Sequence, residues 1–546
     1  MLSEKNKAVW KDYQKDILQK PIYWLCIAFI ISLSYLFDLL NRTLSIDDIQ
    51  REMYFSTVHF SMSTLRWGGT LLCRLFSDVK YVPFIDKFLS IFFFIIGAVI
   101  FSGILYRYIK DNKHRLFFCI LFSCLYVSYP LVNEIWNYNG VNYVWTGGAA
   151  AVAYAVFTLT GNRKIFCRKT MICSLLLSVV MSSYEASAFL YVTVVIGVIL
   201  LDCIFITTKE WFIKGVYFAI PLMFAFLLRY TIGFSCIHLF HLSYLQNSSS
   251  GIFWQLNNLV SQLKGLIFDI SINYGLKALI YQPIAIFVYT LISTLFFIIF
   301  LTIKTRKPLI LFLYLVLVLS VFSQSLLQGS VMPYRTAMTL QFFCPFSLTL
   351  GAFSLSLFGI RSLFRLYCVF LGFICYRQGV FLNKTFALNN QRSDNEAAIA
   401  YHIGFQLKQF DTSKPVYFVG EINLGEFINN QTHPNPSTLG GYFYKKIAAD
   451  YGLLSKIYNY AKIYDSNNNS HINWCRMAHG GQRLMYSYLS YYGFDISTSE
   501  TMDFREHDYY LQQAVDMGMK PFSVKDMGDY ILVYLDEATQ EFRKNP

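Results

Sequence analysis

Charged side chains are scarce in this chain, since Asp, Glu, Lys and Arg together make up only 14% of its 546 residues. A soluble domain usually carries about a quarter of such residues, so the composition argues against a soluble enzyme. Acidic residues are fewer than basic ones, 33 against 46, which gives a formal net charge of +13. The basic residues lie largely in short loops between apolar runs, with no aromatic-interleaved basic stripe, and we therefore expect no nucleic-acid partner.

Several other patterns are missing as well. The 12 cysteines include no CxxC pair and no metal-ligand spacing, and most lie within apolar runs, which predicts buried thiols and no metal centre. The apolar runs are continuous rather than alternating, which argues against a transmembrane β-barrel. The sequence also contains no internal repeat and no low-complexity segment.

Long apolar runs are what the sequence has instead. Hydrophobic residues make up 55% of the chain, and the mean hydropathy is +0.41. Several uncharged runs of roughly 17 to 22 residues are long enough to cross a bilayer core as helices. They predict a polytopic α-helical membrane protein with about eleven transmembrane helices, the first of them retained rather than cleaved as a signal peptide. The predicted spans are 21–40, 85–106, 116–132, 143–160, 170–183, 186–206, 215–235, 283–303, 309–326, 337–358 and 366–382.

The loops between these spans fall into two alternating sets. Every second loop is short and basic, which favours a cytoplasmic position for these loops and for the lysine-rich N-terminus. The basic loops are 107–115, 162–169, 207–214, 304–307 and 361–365. This alternation predicts a multi-pass membrane protein. We expect a transmembrane domain at 1–382 and a small extracytoplasmic α/β domain at 383–546, where 414–420 and 530–536 are strand-like.

The first outer loop contains SIDDIQREMYF at residues 45–55. Ser45 and Asp48 fit a capping box at the start of a helix. Capping explains one acid, but it explains neither the pair of Asp47 and Asp48 nor Arg51, which would share a helix face with Asp48. The two carboxylates are therefore candidate catalytic groups.

The second outer loop reads NEIWNYNGVNYVW, residues 133–145. Aromatic residues at a membrane interface are common, and this alone could explain Tyr143. Acids and amides near membrane depth are costly and need another reason. Aromatic faces stack on sugar rings while amides and carboxylates bind hydroxyls. The candidate sugar or acceptor ligands are Glu134, Trp136, Asn139, Asn142 and Tyr143.

Two later charged residues lie at predicted outer helix ends. Glu185, in MSSYEASAFLY, is either a solvated turn acid or a further sugar or acceptor ligand. Arg335, in VMPYRTAMT, is either a snorkelling side chain or a bidentate phosphate ligand. A lipid-linked phosphosugar would use both kinds of group. Asp48 would act as general base and Asp47 would position the acceptor or a cation, while Arg51 and Arg335 would hold the phosphate.

Four segments carry a resemblance to a known family. They are Asp47-Asp48-x-x-Arg51, Trp67-Gly68-Gly69, Ser183-Tyr184-Glu185-Ala186-Ser187 and Pro333-Tyr334-Arg335. In order and topology, over about residues 20–390, the chain resembles the type II O-antigen glucosyltransferases of the Gtr group. These are polytopic enzymes of the bacterial plasma membrane with a glycosyltransferase type C architecture, so the resemblance implies that 1–382 is a transmembrane catalytic domain.

The resemblance implies a polyprenyl-phosphate-linked sugar donor, usually of glucose, used on the outer side of the plasma membrane. The acceptor would be a growing or finished surface polysaccharide, and Asp47 or Asp48 would be the essential acid. The chain departs from the family in having Arg66 before Trp67, where the family has Gly-Arg after its tryptophan. It also has Glu185 where the family has glutamine, and both departures leave the sugar open.

Two alternatives remain open at this stage. A transporter or flippase for a lipid-linked sugar would need the phosphate ligands but no base. Transporters often show repeated halves and charges in the middle of the membrane, and we find neither in this sequence, whose acids cluster on one side. A polysaccharide polymerase or ligase would use a similar lipid-phosphate donor with a longer glycan. No cofactor is required by any of these readings, although adjacent carboxylates can share a divalent cation with phosphate oxygens.

Overall fold

A computed structural model describes fourteen parts of the chain: residues 4–41, 61–76, 83–109, 112–130, 142–160, 167–206, 211–245, 254, 258–271, 285–331, 336–359, 361–420, 482–496 and 504–535. The chain divides into two compact units, of which the first comprises residues 1–40 and 55–386 and the second comprises residues 41–54 and 387–546. The larger, first unit is helical throughout its described residues. The second contains helices and a small sheet.

The described part of the first unit consists of helices joined by connections of very different lengths. In chain order they are α1 (Glu4–Tyr13), a π-helical turn (Gln14–Leu18), α2 (Pro21–Leu40), α3 (Trp67–Phe76), α4 (Pro83–Tyr106), α5 (Asn112–Val127), α6 (Asn142–Leu159), α7 (Arg168–Met181), α8 (Ala186–Phe205), α9 (Trp211–Leu239), α10 (Leu259–Ser271), α11 (Ala285–Thr305), α12 (Pro308–Val321), α13 (Ser323–Gln328), α14 (Met338–Phe358) and α15 (Arg361–Leu407).

Each predicted span coincides with one of the longer helices. Six helices are long and apolar enough to cross a membrane, namely α2, α4, α8, α9, α14 and the first part of α15. Four shorter apolar helices lie in α5, α6, α11 and α12. The protein is therefore a helical membrane protein. The remaining predicted span corresponds to α7, which has 14 residues.

The centre of the first unit is formed by α8 and α14, the two most buried of the six long apolar helices. Gly197 on α8 faces the ring of Phe342 on α14, and a Cβ atom there would lie 3.3 Å from that ring. A small residue at this crossing allows the two helices to approach closely, as is typical of helix packing in membranes. Serine and threonine hydroxyls along these helices donate to carbonyls of the preceding turn, as Thr193 does to Phe189 at 2.9 Å.

The helix termini form two separate groups. We call one group the wide-loop end, where α2 ends and α4 begins. There the buried Lys87 Nζ lies 2.8 Å from Asp38 Oδ1, and the Tyr35 hydroxyl donates to the Val127 carbonyl at 2.7 Å. These contacts join the C-terminal ends of α2 and α5 to the N-terminal end of α4.

We call the other group the basic-loop end, because its termini flank the basic loops. The Asn6 side chain of α1 donates to the carbonyls of Phe157 and Thr158 at 3.1 Å, which satisfies groups that the end of α6 leaves unpaired. Lys214 Nζ lies 3.0 Å from Asp202 Oδ2 and ties the start of α9 to the end of α8. These pairings join only termini that the alternating loops predict on one side.

One expectation about the first unit needs correction. The last helix was predicted to end at 382, but α15 continues to Leu407 because residues 383–407 contain no proline and many helix-compatible side chains. The wide outer loops also contain two helices, α3 and α10. The charged residues Asp38 and Asp202 lie in the last turns of α2 and α8, whereas Arg229 lies further inside α9, and each of the three pairs with a residue of opposite charge.

The second unit contains the end of α15 and a three-stranded sheet. Its other elements are β1 (Val416–Val419), α16 (Gln482–Tyr491), α17 (Phe504–Asp516), β2 (Ser523–Asp526) and β3 (Ile531–Tyr534). The strand order is β1-β3-β2, with β1 parallel and β2 antiparallel to β3. β1 and β3 lie within the two strand-like segments of the sequence, whereas β2 was not expected.

Both faces of the sheet in the second unit are covered. Along β3, Ile531 and Val533 pack with α15 and α16, while Leu532 and Tyr534 pack with α17. Because successive side chains of a strand point to opposite faces, an uninterrupted apolar strand such as β3 is what a sheet covered on both sides requires. Beside the sheet, the hydrogen bond from the Lys414 ammonium lowers the pKa of Asp526.

Candidate functional site

A single carboxylate at the wide-loop end contacts two arginines from distant parts of the sequence. Glu185 lies in the turn between α7 and α8 and immediately precedes Ala186, the first residue of α8. Its Oε1 accepts a hydrogen bond from Arg229 Nη2 at 2.6 Å, and its Oε2 lies 3.4 Å from Arg66 Nη2. We call these three residues the Arg-Glu-Arg cluster.

The cluster is graded in exposure. The side chain of Arg229 is 8% exposed, that of Glu185 is 20% exposed and that of Arg66 is 28% exposed. The arginine of α9 is therefore at the bottom, and the cluster opens on the side of Arg66. Charges held this far from water are costly unless they are paired, so the carboxylate is what allows Arg229 to stay inside the bundle.

Arg66 is positioned by the turn that precedes α3. The backbone N–H of Arg66 donates to the Ser61 carbonyl at 2.6 Å, and that of Leu65 donates to the Met62 carbonyl at 3.0 Å. These two bonds form a Schellman motif, a helix end in which the residue just after the helix has a left-handed backbone conformation and is usually glycine. Here that residue is Leu65, with a φ of 61°, and its side chain is buried against Gly233 of α9. Packing against α9 thus holds a strained turn that orients Arg66.

The Trp67-Gly68-Gly69 segment connects α3 to its neighbours. The Trp67 indole Nε1–H donates to the backbone carbonyl of Arg229 at 3.2 Å. A Cβ atom on Gly68 would lie 2.1 Å from the carbonyl oxygen of Val179 on α7, so only glycine fits there. The segment therefore places α3 against α7, which ends shortly before Glu185, and against α9, which carries Arg229.

Neither guanidinium of the cluster uses its full set of donors. Each arginine offers five N–H groups, and in each only Nη2 bonds to Glu185. The Nε atoms of Arg66 and Arg229 are both buried and have no hydrogen-bond partner among the described residues. With two cations and one anion, the cluster carries a surplus of one positive charge.

Most of the residues expected to form the site from the sequence lie outside the described residues. These are Asp47, Asp48, Arg51, Glu134, Trp136, Asn139 and Arg335. Asn142 is the first residue of α6. Tyr143 is 1% exposed and meets the ring of Phe76 edge-on at 6.3 Å, so its ring is part of the packing between α6 and α3.

Glu185 is the predicted ligand that the structure places in a charged cluster, where it contacts arginines. Arg66 and Arg229 were not singled out as site residues. Arg66 lies in the glycine-containing segment quoted for its resemblance. Arg229 was hidden in an apolar run, where an arginine is itself a signal of function because it is costly in lipid. Within the described residues, no group of three His, Cys, Asp or Glu side chains could hold a metal ion.

Comparison with known proteins gives one match. The family model described as Glucosyl transferase GtrII matches residues 36–347, which is more than half of the chain. The matched region begins in α2 and ends in α14, and it contains the whole Arg-Glu-Arg cluster. No curated protein matches, and no solved structure matches.

Proposed function

Because the chain belongs to the GtrII glucosyl transferase family, we propose that it moves a glucosyl group from a polyprenyl-phosphate carrier to a surface polysaccharide on the outer face of a bacterial plasma membrane. Family membership makes the protein a glucosyltransferase of O-antigen modification. The carrier, the outer face and the acceptor extend that activity and are part of the proposal.

One observation supports the extension above all others. α2 ends at Leu40, seven residues before Asp47, and it ends at the same wide-loop end that holds the Arg-Glu-Arg cluster. The segment that contains Asp47 and Asp48 therefore follows a helix that ends on the side of the bundle where the arginines of the cluster lie, and this supports a common location for the acids and the cluster. Since the opposite end is flanked by the basic loops, the positive-inside rule puts the wide-loop end outside the cell.

The reaction requires a general base for the acceptor hydroxyl and a cationic site for the departing phosphate. Asp48 accepts the proton of an acceptor hydroxyl while the hydroxyl oxygen forms a bond to the anomeric carbon of glucose. The bond between that carbon and the phosphate oxygen breaks, and the phosphate leaves with the electron pair. Asp47 positions the acceptor, and a divalent cation shared by the two carboxylates would stabilise the same charge. Arg51 and Arg335 remain further candidates for holding the phosphate.

The experiment replaces Asp47 and Asp48 by asparagine, singly, in cells that make the acceptor polysaccharide. Mass spectrometry of the surface glycan should show loss of the added hexose for at least one variant, because asparagine cannot accept the proton. Asp12→Asn is the matched control, since Asp12 is exposed on α1 at the basic-loop end. Full modification by both variants at normal expression would contradict the catalytic role.

The donor is tested separately with the purified enzyme. We expect hexose transfer from polyprenyl-phosphate glucose and none from a nucleotide sugar in a detergent-solubilised assay. A transporter or flippase would transfer from neither donor, and a polymerase or ligase would require a carrier-linked oligosaccharide. Transfer from the nucleotide sugar alone would contradict the proposed donor.

A further inference from the structure

We infer that the Arg-Glu-Arg cluster binds the phosphate headgroup of a lipid, namely the polyprenyl phosphate of the sugar donor. The inference rests on the proposed function and adds a site for the charged part of its substrate. Arg66 and Arg229 are the ligands, and Glu185 positions both of them.

The first argument is the charge of the cluster. Glu185 is the only acid that pairs with either arginine among the described residues. One positive charge is therefore left uncompensated beside a side chain that is only 8% exposed. Isolated charges at such depth are strongly unfavourable, and a bound anion removes the imbalance.

The second argument is the supply of unused donors. The buried Nε–H groups of both arginines lack partners within the described part of the chain. Buried donors are almost always satisfied in folded proteins, and an exception calls for a ligand or water. A guanidinium edge that presents Nε and one Nη atom matches two oxygens of a phosphate, which a single ammonium would not do.

The third argument is that the site is already built before an anion arrives. Arg66 is oriented by the strained Leu65 turn, and the backbone at Arg229 is held by the Trp67 indole. Glu185 fixes one Nη2 atom of each guanidinium. Arginine side chains held in place by such contacts lose little conformational entropy when an anion binds. More of the interaction free energy therefore contributes to the affinity for the anion.

The fourth argument identifies the anion as the headgroup of a lipid. Tyr230 follows Arg229 on α9, is 45% exposed, and its ring lies 5.7 Å from the guanidinium carbon of Arg229. Phe226 is 37% exposed and lies one helical turn before both Arg229 and Tyr230, on the same side of α9. An apolar, lipid-facing surface therefore borders the cluster directly. A phosphate attached to a long hydrocarbon chain can use both surfaces, whereas a soluble nucleotide sugar cannot use the apolar one.

The test measures binding of a short-chain polyprenyl phosphate to the full-length protein in detergent by native mass spectrometry. Arg66→Gln and Arg229→Gln should each weaken binding about tenfold or more, the loss expected for a charge-assisted hydrogen bond. Arg115→Gln is the matched control, because Arg115 is 24% exposed and pairs with Asp16 at 3.6 Å at the basic-loop end. Unchanged binding by folded Arg66→Gln would overturn the inference. Because Arg66 is more exposed than Arg229, Arg66→Gln keeps the test decisive even where Arg229→Gln does not fold.

Two further ligands identify the source of the phosphate. The corresponding polyprenol without phosphate should bind the wild type at least tenfold more weakly than polyprenyl phosphate does. Arg66→Gln and Arg229→Gln should bind this polyprenol as weakly as the wild type does. Phosphatidylglycerol should bind more weakly than polyprenyl phosphate. Equal or tighter binding of phosphatidylglycerol would assign the cluster to a membrane phospholipid and overturn the donor assignment.

Glu185→Gln separates a phosphate site from a purely structural ion pair. The glutamine carbonyl can still accept a hydrogen bond from an arginine, but the substitution raises the net charge of the cluster from one positive charge to two. Added inorganic phosphate should therefore raise the thermal midpoint of this variant more than that of the wild type. A structural pair predicts destabilisation that phosphate does not reverse. None of these measurements needs sugar transfer. The phosphate site can therefore fail its binding test while loss of transfer in Asp48→Asn supports the proposed function. Conversely, the binding test can succeed while the Asp48→Asn result contradicts that function.

Discussion

Gly68 on α3 lies directly against the carbonyl oxygen of Val179 on α7, at a distance that leaves no room for a side chain. A Cβ atom at Gly68 would be 2.1 Å from that oxygen, whereas a Cβ atom at the adjacent Gly69 would be 3.7 Å from its nearest neighbour, the Cα of Ser183. Two neighbouring glycines of one motif thus have different physical roles. Gly68 allows the close approach of two helices, and Gly69 has ordinary contact distances.

Gly68→Ala should therefore destabilise the protein where Gly69→Ala does not. The overpacked methyl group must move α3 or α7 and should cost about 1–3 kcal/mol. Thermal unfolding in detergent measures the difference between the two variants. Because the same movement shifts Arg66 away from Glu185, Gly68→Ala should also reduce glucosylation. Equal thermal midpoints for both variants would show that the contact at Val179 is not tight.

The ion pair between Asp38 and Lys87 should be sensitive to the loss of one partner. Both side chains are almost fully buried, at 4% and 1% exposure. Lys87→Met leaves a buried carboxylate without its cation and should cost about 3–5 kcal/mol. The double variant Asp38→Leu/Lys87→Met should recover much of this loss. Lys214→Met is the comparison, since Lys214 is 28% exposed and should cost less. Chemical unfolding in detergent measures these variants together with Asp38→Leu, and additive effects of the two single substitutions in the double variant would contradict the pairing.

Trp67 should act on the donor through the backbone of Arg229. Trp67→Phe keeps an aromatic ring but removes the hydrogen bond to the Arg229 carbonyl, which is worth about 0.5–1.5 kcal/mol. We expect a higher KM for the lipid-linked donor, by a few-fold, with little change in kcat. Trp24→Phe removes a comparable indole hydrogen bond, to the Leu18 carbonyl at 2.7 Å, far from the cluster. A fall in kcat alone, or equal effects of both substitutions, would argue against this role.

The orientation of the helices is open to a direct measurement. Reporter fusions truncated after His241 and after Arg306 probe termini that follow α9 and α11, at opposite ends of the bundle. Alkaline phosphatase should be active after His241, and green fluorescent protein should fluoresce after Arg306. The opposite pattern would place the Arg-Glu-Arg cluster in the cytosol and remove the basis for an outer-face reaction.

Local sequence was sufficient for much of the architecture. Continuous apolar runs and alternating basic loops predicted a helix at every span that the structure shows, because membrane helices depend on hydrophobicity and length within one segment. The α/β character of the second unit could also be predicted from the sequence, since β1 and β3 are apolar runs rich in β-branched and aromatic residues. The end of α15 was missed because the loss of hydrophobicity at 383 does not stop a helix when no breaker follows.

The sequence by itself determined the class of protein, the order of its helices and the ends at which charged loops lie. Tertiary structure alone decided that Arg66, Glu185 and Arg229 meet, since Arg66 and Glu185 are 119 residues apart. No periodicity links such positions. Their contact depends on a glycine that admits α3 against α7, on a leucine held in a left-handed turn by α9, and on the cost of leaving any of the three charges unpaired inside the bundle.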